Sequence, residues 1–213
     1  MSASKLTLYH YWRSSASWRA RWVFALKGIE CDFVHIGLLD GEAEGEAHLK
    51  RNPLGYVPVL EKDGQYLCES LAIIQWAEEN YPKPALMTGD SWKRAQIRML
   101  AEAINASTQP PQNLSVMLHH APDNPAEQKK WAQHWNQHGL SAYEALVKPL
   151  AGRFSVGDEI TLADICLIPQ CAAAMRQEVD LAAYPTVSRI FKAAMETDAC
   201  RKSAPENFKP AGA

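Results

Sequence analysis

The sequence predicts an α/β unit followed by an all-α one: a β-α-β-α-β-β-α arrangement over residues 1–81, then helices alone over residues 91–213. Three observations carry this. Period-two apolar alternation is confined to the first 80 residues, helical spacing of three or four takes over from Ser91, and a Pro- and Gly-bearing stretch, residues 82–90, separates the two as a linker.

The first strand is "KLTLYHYW", alternating apolar and polar with good β-formers. From Ser15 the pattern turns helical through Trp18, Trp22 or Val23, and Leu26, and stops at Gly28, the residue type that most readily takes the left-handed conformation ending a helix. "CDFVHI" is a second strand, and a β-α-β unit of this kind favours parallel pairing. A Gly- and Glu-rich segment follows that is weakly helical at best. "VPVL" and "QYLC" flank a Lys-Asp-Gly turn, a hairpin signal. The helix "SLAIIQWAEENY" is ended by "YPKP". This order describes a thioredoxin-like unit. Beyond it, "SWKRAQIRMLAEAINASTQ", "NPAEQKKWAQHWNQHGLSAYEALVKPL", "TLADICLIPQCAAAMRQ" and "TVSRIFKAAMETDA" read as helices punctuated by Pro and Gly. The last ten or so residues, with Pro205, Pro210 and Gly212, read as a frayed end.

Bulk composition excludes several classes. A net charge of -2 gives no electrostatic footprint for nucleic acid or an anionic membrane surface. No apolar run approaches the roughly 20 residues of a membrane helix, and no basic-then-apolar leader opens the chain, so a cytoplasmic location is expected. The five cysteines are scattered with no C-x-x-C pair, which indicates neither a disulfide framework nor zinc and suggests small buried hydrophobes. The histidines show no metal-ligand spacing; His134 and His138 lie four apart on one helix, as a solvated face would.

The segments "RSSASWRARWVFALKG", "NPLGYVPVL", "ESLAIIQW", "TQPPQNLSV", "VGDEITLADICLIPQ" and "VDLAAYPT" resemble, in order and spacing over nearly the whole chain, the zeta class of glutathione transferases, the maleylacetoacetate and maleylpyruvate isomerases. One residue departs: Ala16 stands where the commonest zeta signature, S-S-C, has cysteine. The resemblance implies a helical glutathione-transferase C-terminal domain, glutathione as cofactor, a small anionic diketo-acid substrate and a homodimer.

On sequence alone, one serine of the Ser14-Ser15 pair is an N-cap at a strand-to-helix junction. The resemblance makes Ser14 the main donor to the glutathione thiolate and Ser15 an assisting hydroxyl or cap. The two readings are compatible, because the capping position is where a hydroxyl meets the positive end of the helix dipole. Lowering a thiol pKa by about two units takes about 2.7 kcal/mol, the order a charge-assisted hydrogen bond and a dipole supply together. Val57-Pro58 reads alone as an edge strand with a trans bond; the resemblance implies a cis bond that turns Val57's backbone toward the cysteinyl part of glutathione. Ser70 reads as the N-cap of the third helix, and an exposed helix start binds an anion. The resemblance assigns Glu69 and Ser70 to the γ-glutamyl ammonium and carboxylate.

In "TQPPQNLSV" the two prolines break a helical pattern. The resemblance gives Gln109, Asn113 and Ser115 to the closing of the glutathione site; the alternative is a kink with solvated amides. Arg176 ends an apolar helix, where a cation usually just satisfies the dipole, yet it matches the zeta position proposed to hold a substrate carboxylate. Arg13 and Arg19 are further cations for that anion, with Trp12 as an apolar wall. Thr161 and Asp164 form a capping box, with Ile160 and Ile165 as its hydrophobic staple, and these are structural.

The reaction the resemblance implies is cis-to-trans isomerisation: thiolate addition to a conjugated alkene, bond rotation and elimination, with thiolate and enolate both stabilised by the protein. Ala16 leaves that chemistry intact, since glutathione brings the nucleophile, but counts against the reductive dehalogenation that uses the missing cysteine. A general zeta-class transferase or α-haloacid dehalogenase is the neighbouring reading, and a non-catalytic glutathione-fold binding protein the more distant one.

Overall fold

The computed structural model describes residues 5–212; residues 1–4 and 213, the outer ends of the two expected domains, lie outside it. In chain order the elements are β1 (Leu6–His10), α1 (Ser15–Lys27), β2 (Asp32–His35), α2 (Glu46–Leu49), β3 (Val59–Lys62), β4 (Gln65–Cys68) and α3 (Ser70–Asn80). Next come α4 (Ser91–Asn105), α5 (Leu114–His120), α6 (Pro125–Val147), α7 (Leu162–Arg176), α8 (Pro185–Met195) and α9 (Asp198–Ser203). Two compact units result: one runs to Ala85 and takes in the chain again from Asp198, and the other spans Leu86–Thr197.

The first unit holds a mixed sheet in the order β2-β1-β3-β4. β1 runs parallel to β2, as the β-α-β reading predicts, and antiparallel to β3, with Leu8 opposite both Phe33 and Leu60. β3 and β4 form the hairpin around Asp63 and Gly64, both at positive φ. Along β1 the period of two buries Leu6, Leu8 and His10 on one face. α1 ends at Gly28 in the left-handed conformation, φ 64°, with its N–H donating to the Phe24 carbonyl. At the far end of α3, the buried Lys27 ammonium pairs with Glu78 at 2.7 Å and donates to the Tyr81 and Pro84 carbonyls at 2.7 and 2.8 Å.

Two sequence readings change here. Arg19 reads as a cation for the substrate anion, but α1 is buried from Ser17 to Phe24, Arg19 and Arg21 included, because α3 and α9 both pack against it. The end that reads as frayed is docked: Pro205–Phe208 form a 3-10 turn, and Phe208 meets His10 and Phe33 edge to face at 5.4 and 5.0 Å. Of the cysteines, Cys166, Cys171 and Cys200 are buried, whereas Cys31 and Cys68 are only half-buried. Burial pushes the Cys31 thiol up to about 12, so half-exposure does not make it a ready nucleophile.

The second unit is built around α7, buried along nearly its whole length from Leu162 to Ala174 and packed on α4, α6 and α8. The capping box is present: the buried Asp164 carboxylate accepts from the Thr161 N–H, the Thr161 hydroxyl and the Ser155 N–H at 2.8, 2.9 and 2.8 Å. A buried amide pair joins α6 to α7, Gln170 Nε2 donating to Asn136 Oδ1 at 2.6 Å. No helix among the described residues is long and apolar enough to cross a membrane.

Candidate active site

The site in the first unit is assembled at the starts of two helices and the turn before β3. Ser14 is the N-cap of α1: its backbone is extended (φ -65°, ψ 124°) and its hydroxyl oxygen accepts from the Ser17 N–H at 3.1 Å. Ser15 is therefore the first helical residue and not the cap. Accepting from a backbone N–H leaves the Ser14 hydroxyl proton for an outside acceptor and polarises it. No acidic residue occupies the first turn of α1, so its dipole is uncompensated there. Ala16 is half-buried on the same turn. Burial pushes up every cysteine thiol whose pKa shifts, with Cys31 and Cys200 at about 12, so none of these is primed as a substitute nucleophile.

Val57 precedes the sheet ladder, which begins at Val59 opposite Tyr9, so its backbone lies beyond the last strand pairing. The Val57-Pro58 bond is cis, as the resemblance implies. Two side chains fix this turn from beneath. Asn52 Nδ2 donates to the Tyr56 carbonyl at 3.0 Å and His48 Nε2 meets the same oxygen at 3.0 Å; both residues are buried. A carbonyl only accepts, so His48 carries its proton on Nε2.

At α3 the N-cap is Glu69, not Ser70. Glu69 sits at φ 68°, ψ 119°, a backbone conformation that costs a non-glycine residue about 1–3 kcal/mol and is found where function requires it. The cap is decided by backbone dihedral, and residue type alone misplaces it by one. Ser70, the first helical residue, is buried, and its hydroxyl accepts from Arg19 Nη1 at 3.4 Å. Arg19 is thus a buried cation under the start of α3; the sequence reading put it in an open substrate pocket, and burial by α3 removes it from there. Exposed Arg13 and half-buried Trp12 keep the accessibility a substrate wall needs, with the Arg13 guanidinium 5.6 Å from the Trp12 ring centre.

In the second unit, the break at Pro110 and Pro111 is a defined 3-10 turn. Thr108 donates to the Ala103 carbonyl at 2.7 Å, Gln112 Nε2 to the Gln109 carbonyl at 3.1 Å, and Trp131 Nε1 to the Pro111 carbonyl at 2.7 Å. Gln109 is half-buried at its start, Asn113 is the N-cap residue of α5, and Ser115 is exposed on the first turn of α5. Arg176 is exposed at the last position of α7. Among the described residues no three His, Cys, Asp or Glu side chains gather as a metal site; His134 and His138 stack on the open face of α6 with ring centres 6.4 Å apart.

Sequence reasoning missed His10 and Arg21, which meet behind this site at 3.0 Å (Nδ1 to Nη1). The signal was present for His10, which continues the buried register of Leu6 and Leu8. Burial, with Arg21 and His35 nearby, lowers its pKa to about 3, so it is a neutral acceptor for Arg21.

Family models bear on this geometry directly. Residues 8–85 match the glutathione S-transferase N-terminal domain, and residues 111–198 the glutathione S-transferase C-terminal domain. The maleylacetoacetate isomerase of Rattus norvegicus is 43% identical over 207 residues, 96% of this chain and 94% of that protein. The chain belongs to the glutathione S-transferase family, zeta class. A maleylpyruvate isomerase of a Ralstonia species is 38% identical over 94% of this zeta-class chain and 97% of its own length. The crystal structure of maleylacetoacetate isomerase from Anaeromyxobacter dehalogenans with bound GSH in the active site covers 100% of both chains at a TM-score of 0.89 and 41% identity.

Proposed function

We propose that this protein is a glutathione-dependent cis-trans isomerase of maleylacetoacetate or maleylpyruvate, acting in aromatic-acid or tyrosine breakdown. The observation that carries the reading is the Ser14 cap: a hydroxyl held by the Ser17 N–H at an uncompensated helix start, in a chain about 40% identical to isomerases over almost its full length. The donor set fits glutathione. It offers a hydroxyl proton at α1, backbone outside the ladder at Val57, and a serine backed by a buried arginine at α3.

When bound, glutathione supplies a thiol nucleophile whose reversible addition to the cis alkene lets the former double bond rotate before elimination returns the trans isomer. Ser14 holds the sulfur as thiolate by donating a hydrogen bond to it, helped by the α1 dipole and by Ser15. Ser70 and Glu69 take the γ-glutamyl carboxylate and ammonium, with the Arg19 charge raising the positive potential at α3. Val57 orients the cysteinyl backbone. In the first unit Arg13 is a cation for a substrate carboxylate as charge shifts toward the enolate; in the second unit Gln109, Asn113 and Ser115 are assigned to glutathione and Arg176 to a substrate carboxylate on the resemblance alone. Trp12 lines the apolar side.

We also propose a homodimer in the cytoplasm. Exposed Leu54, Tyr56 and Tyr66 in the first unit, and exposed Trp92 and Met99 on α4, supply the apolar surface a subunit interface uses. Ala16 disfavours reductive dehalogenation, which needs a cysteine to resolve a mixed disulfide, whereas an α-haloacid dehalogenase would use the same thiolate by substitution. Incubation with glutathione and either a maleyl substrate or an α-haloacid separates that dehalogenase from the isomerase: the fumaryl isomer with glutathione undiminished supports the isomerase, and halide release without isomerisation overturns it.

A further inference from the structure

Arg21 is 1% exposed, yet its four hydrogen-bond acceptors are all neutral. Nε donates to the Ser203 carbonyl at 3.2 Å, Nη2 to the Trp12 carbonyl at 3.0 Å, and Nη1 to the Tyr11 carbonyl at 3.3 Å and to His10 Nδ1 at 3.0 Å. The Phe208 ring lies over the guanidinium, 4.6 Å from its centre. Burying a cation is costly; the Glu206 carboxylate of the same carboxy-terminal segment offsets part of that cost, and an apolar side chain would fill the space with less penalty. Burial brings the Arg21 pKa down only to about 9, so the charge is present at neutral pH.

What the cation joins is specific. Tyr11 and Trp12 form the turn leading into Ser14, and the Tyr11 carbonyl also accepts the Ser14 N–H at 3.1 Å. Ser203 and Phe208 belong to the docked carboxy-terminal segment, whose Lys209 ammonium lies 5.6 Å from the Trp12 ring centre. All of these residues belong to the first unit. The geometry points to Arg21 and the segment Ser203–Phe208 as positioning elements that set where the Ser14 hydroxyl sits. This docked segment thereby tunes the thiolate site, a role that rests on Ser14 being the thiolate donor.

The test is the pKa of the bound glutathione thiol, followed by ultraviolet thiolate absorbance against pH at saturating glutathione, with affinity by calorimetry and kcat and KM alongside. Phe208→Ala should raise that pKa by about half a unit or more and lower kcat at neutral pH about three- to tenfold, with glutathione affinity within about twofold. Turnover should recover as pH rises. Arg21→Lys should act in the same direction. A folded Phe208→Ala protein with wild-type thiol pKa overturns the proposal, and this variant carries the test alone if Arg21→Lys fails to fold. Ser14→Ala, measured in parallel, separates the two levels. If it leaves the thiol pKa unmoved, the Ser14 reading falls and this proposal with it; if it raises the pKa while Phe208→Ala does not, only the present proposal falls.

Discussion

A single hydroxyl carries most of the chemistry. Ser14 Oγ accepts one backbone N–H and keeps its proton to give, so its removal should cost thiolate stabilisation and, through the lost cap, about 1 kcal/mol of stability. Ser14→Ala is expected to raise the bound thiol pKa by about two units, about 2.7 kcal/mol, and to lower turnover at neutral pH by about a hundredfold. Turnover measured across pH checks this; a variant with the wild-type profile contradicts it. The cap also shows where sequence reading stops. The Ser-Ser and Glu-Ser pairs were legible as helix starts, but which member caps depends on φ and ψ, and Glu69 at φ 68° is a conformation no residue-type preference anticipates. Arg19 was misjudged for a related reason: a charged side chain is rarely fully buried, and only the long-range packing of α3 and α9 on α1 buries it.

Among the elements, the second unit depends on how α7 starts and on how closely α6 meets the turn after α4. Asp164 satisfies three buried donors, so Asp164→Ala leaves all of them without their acceptor and should destabilise by about 3–5 kcal/mol in denaturant unfolding. A Cβ on Gly139 would overlap the Thr108 side chain, next to Gln109. Gly139→Ala should therefore cost about 1–3 kcal/mol by overpacking, read by the same unfolding curves. The T-x-x-D box was visible in the sequence because its two partners are only three residues apart. The Gly139 contact was not, since it joins residues over thirty apart. The carboxy-terminal segment was misread for the same reason: Pro205, Pro210 and Gly212 are local signals of fraying, whereas the docking of Phe208 on His10 and Phe33 is long-range.

For the whole molecule, stability should depend on pH through His10. Its pKa in the folded chain is about 3, below the ordinary 6.5, so between those values the unfolded chain binds a proton that the folded chain does not. Stability then rises with pH across that window, by up to about 1.4 kcal/mol per unit, and is lost as pH falls below about 6.5. Comparing unfolding of the wild type with His10→Gln from about pH 4 to 7 isolates this slope; equal slopes contradict it. The order of strands and helices was readable because it follows from local periodicity and punctuation, whereas the return of the chain from Asp198 to the first unit is long-range and was not. The glutathione and substrate assignments came from the resemblance, since no spacing of serines or arginines defines those ligands by itself. The most direct measurement is isomerisation of maleylacetone, a stable analogue of maleylacetoacetate, followed by ultraviolet absorbance with and without glutathione. The account predicts turnover that requires glutathione, leaves it unconsumed and collapses in Ser14→Ala; no turnover with glutathione bound, or turnover indifferent to it, would contradict the account.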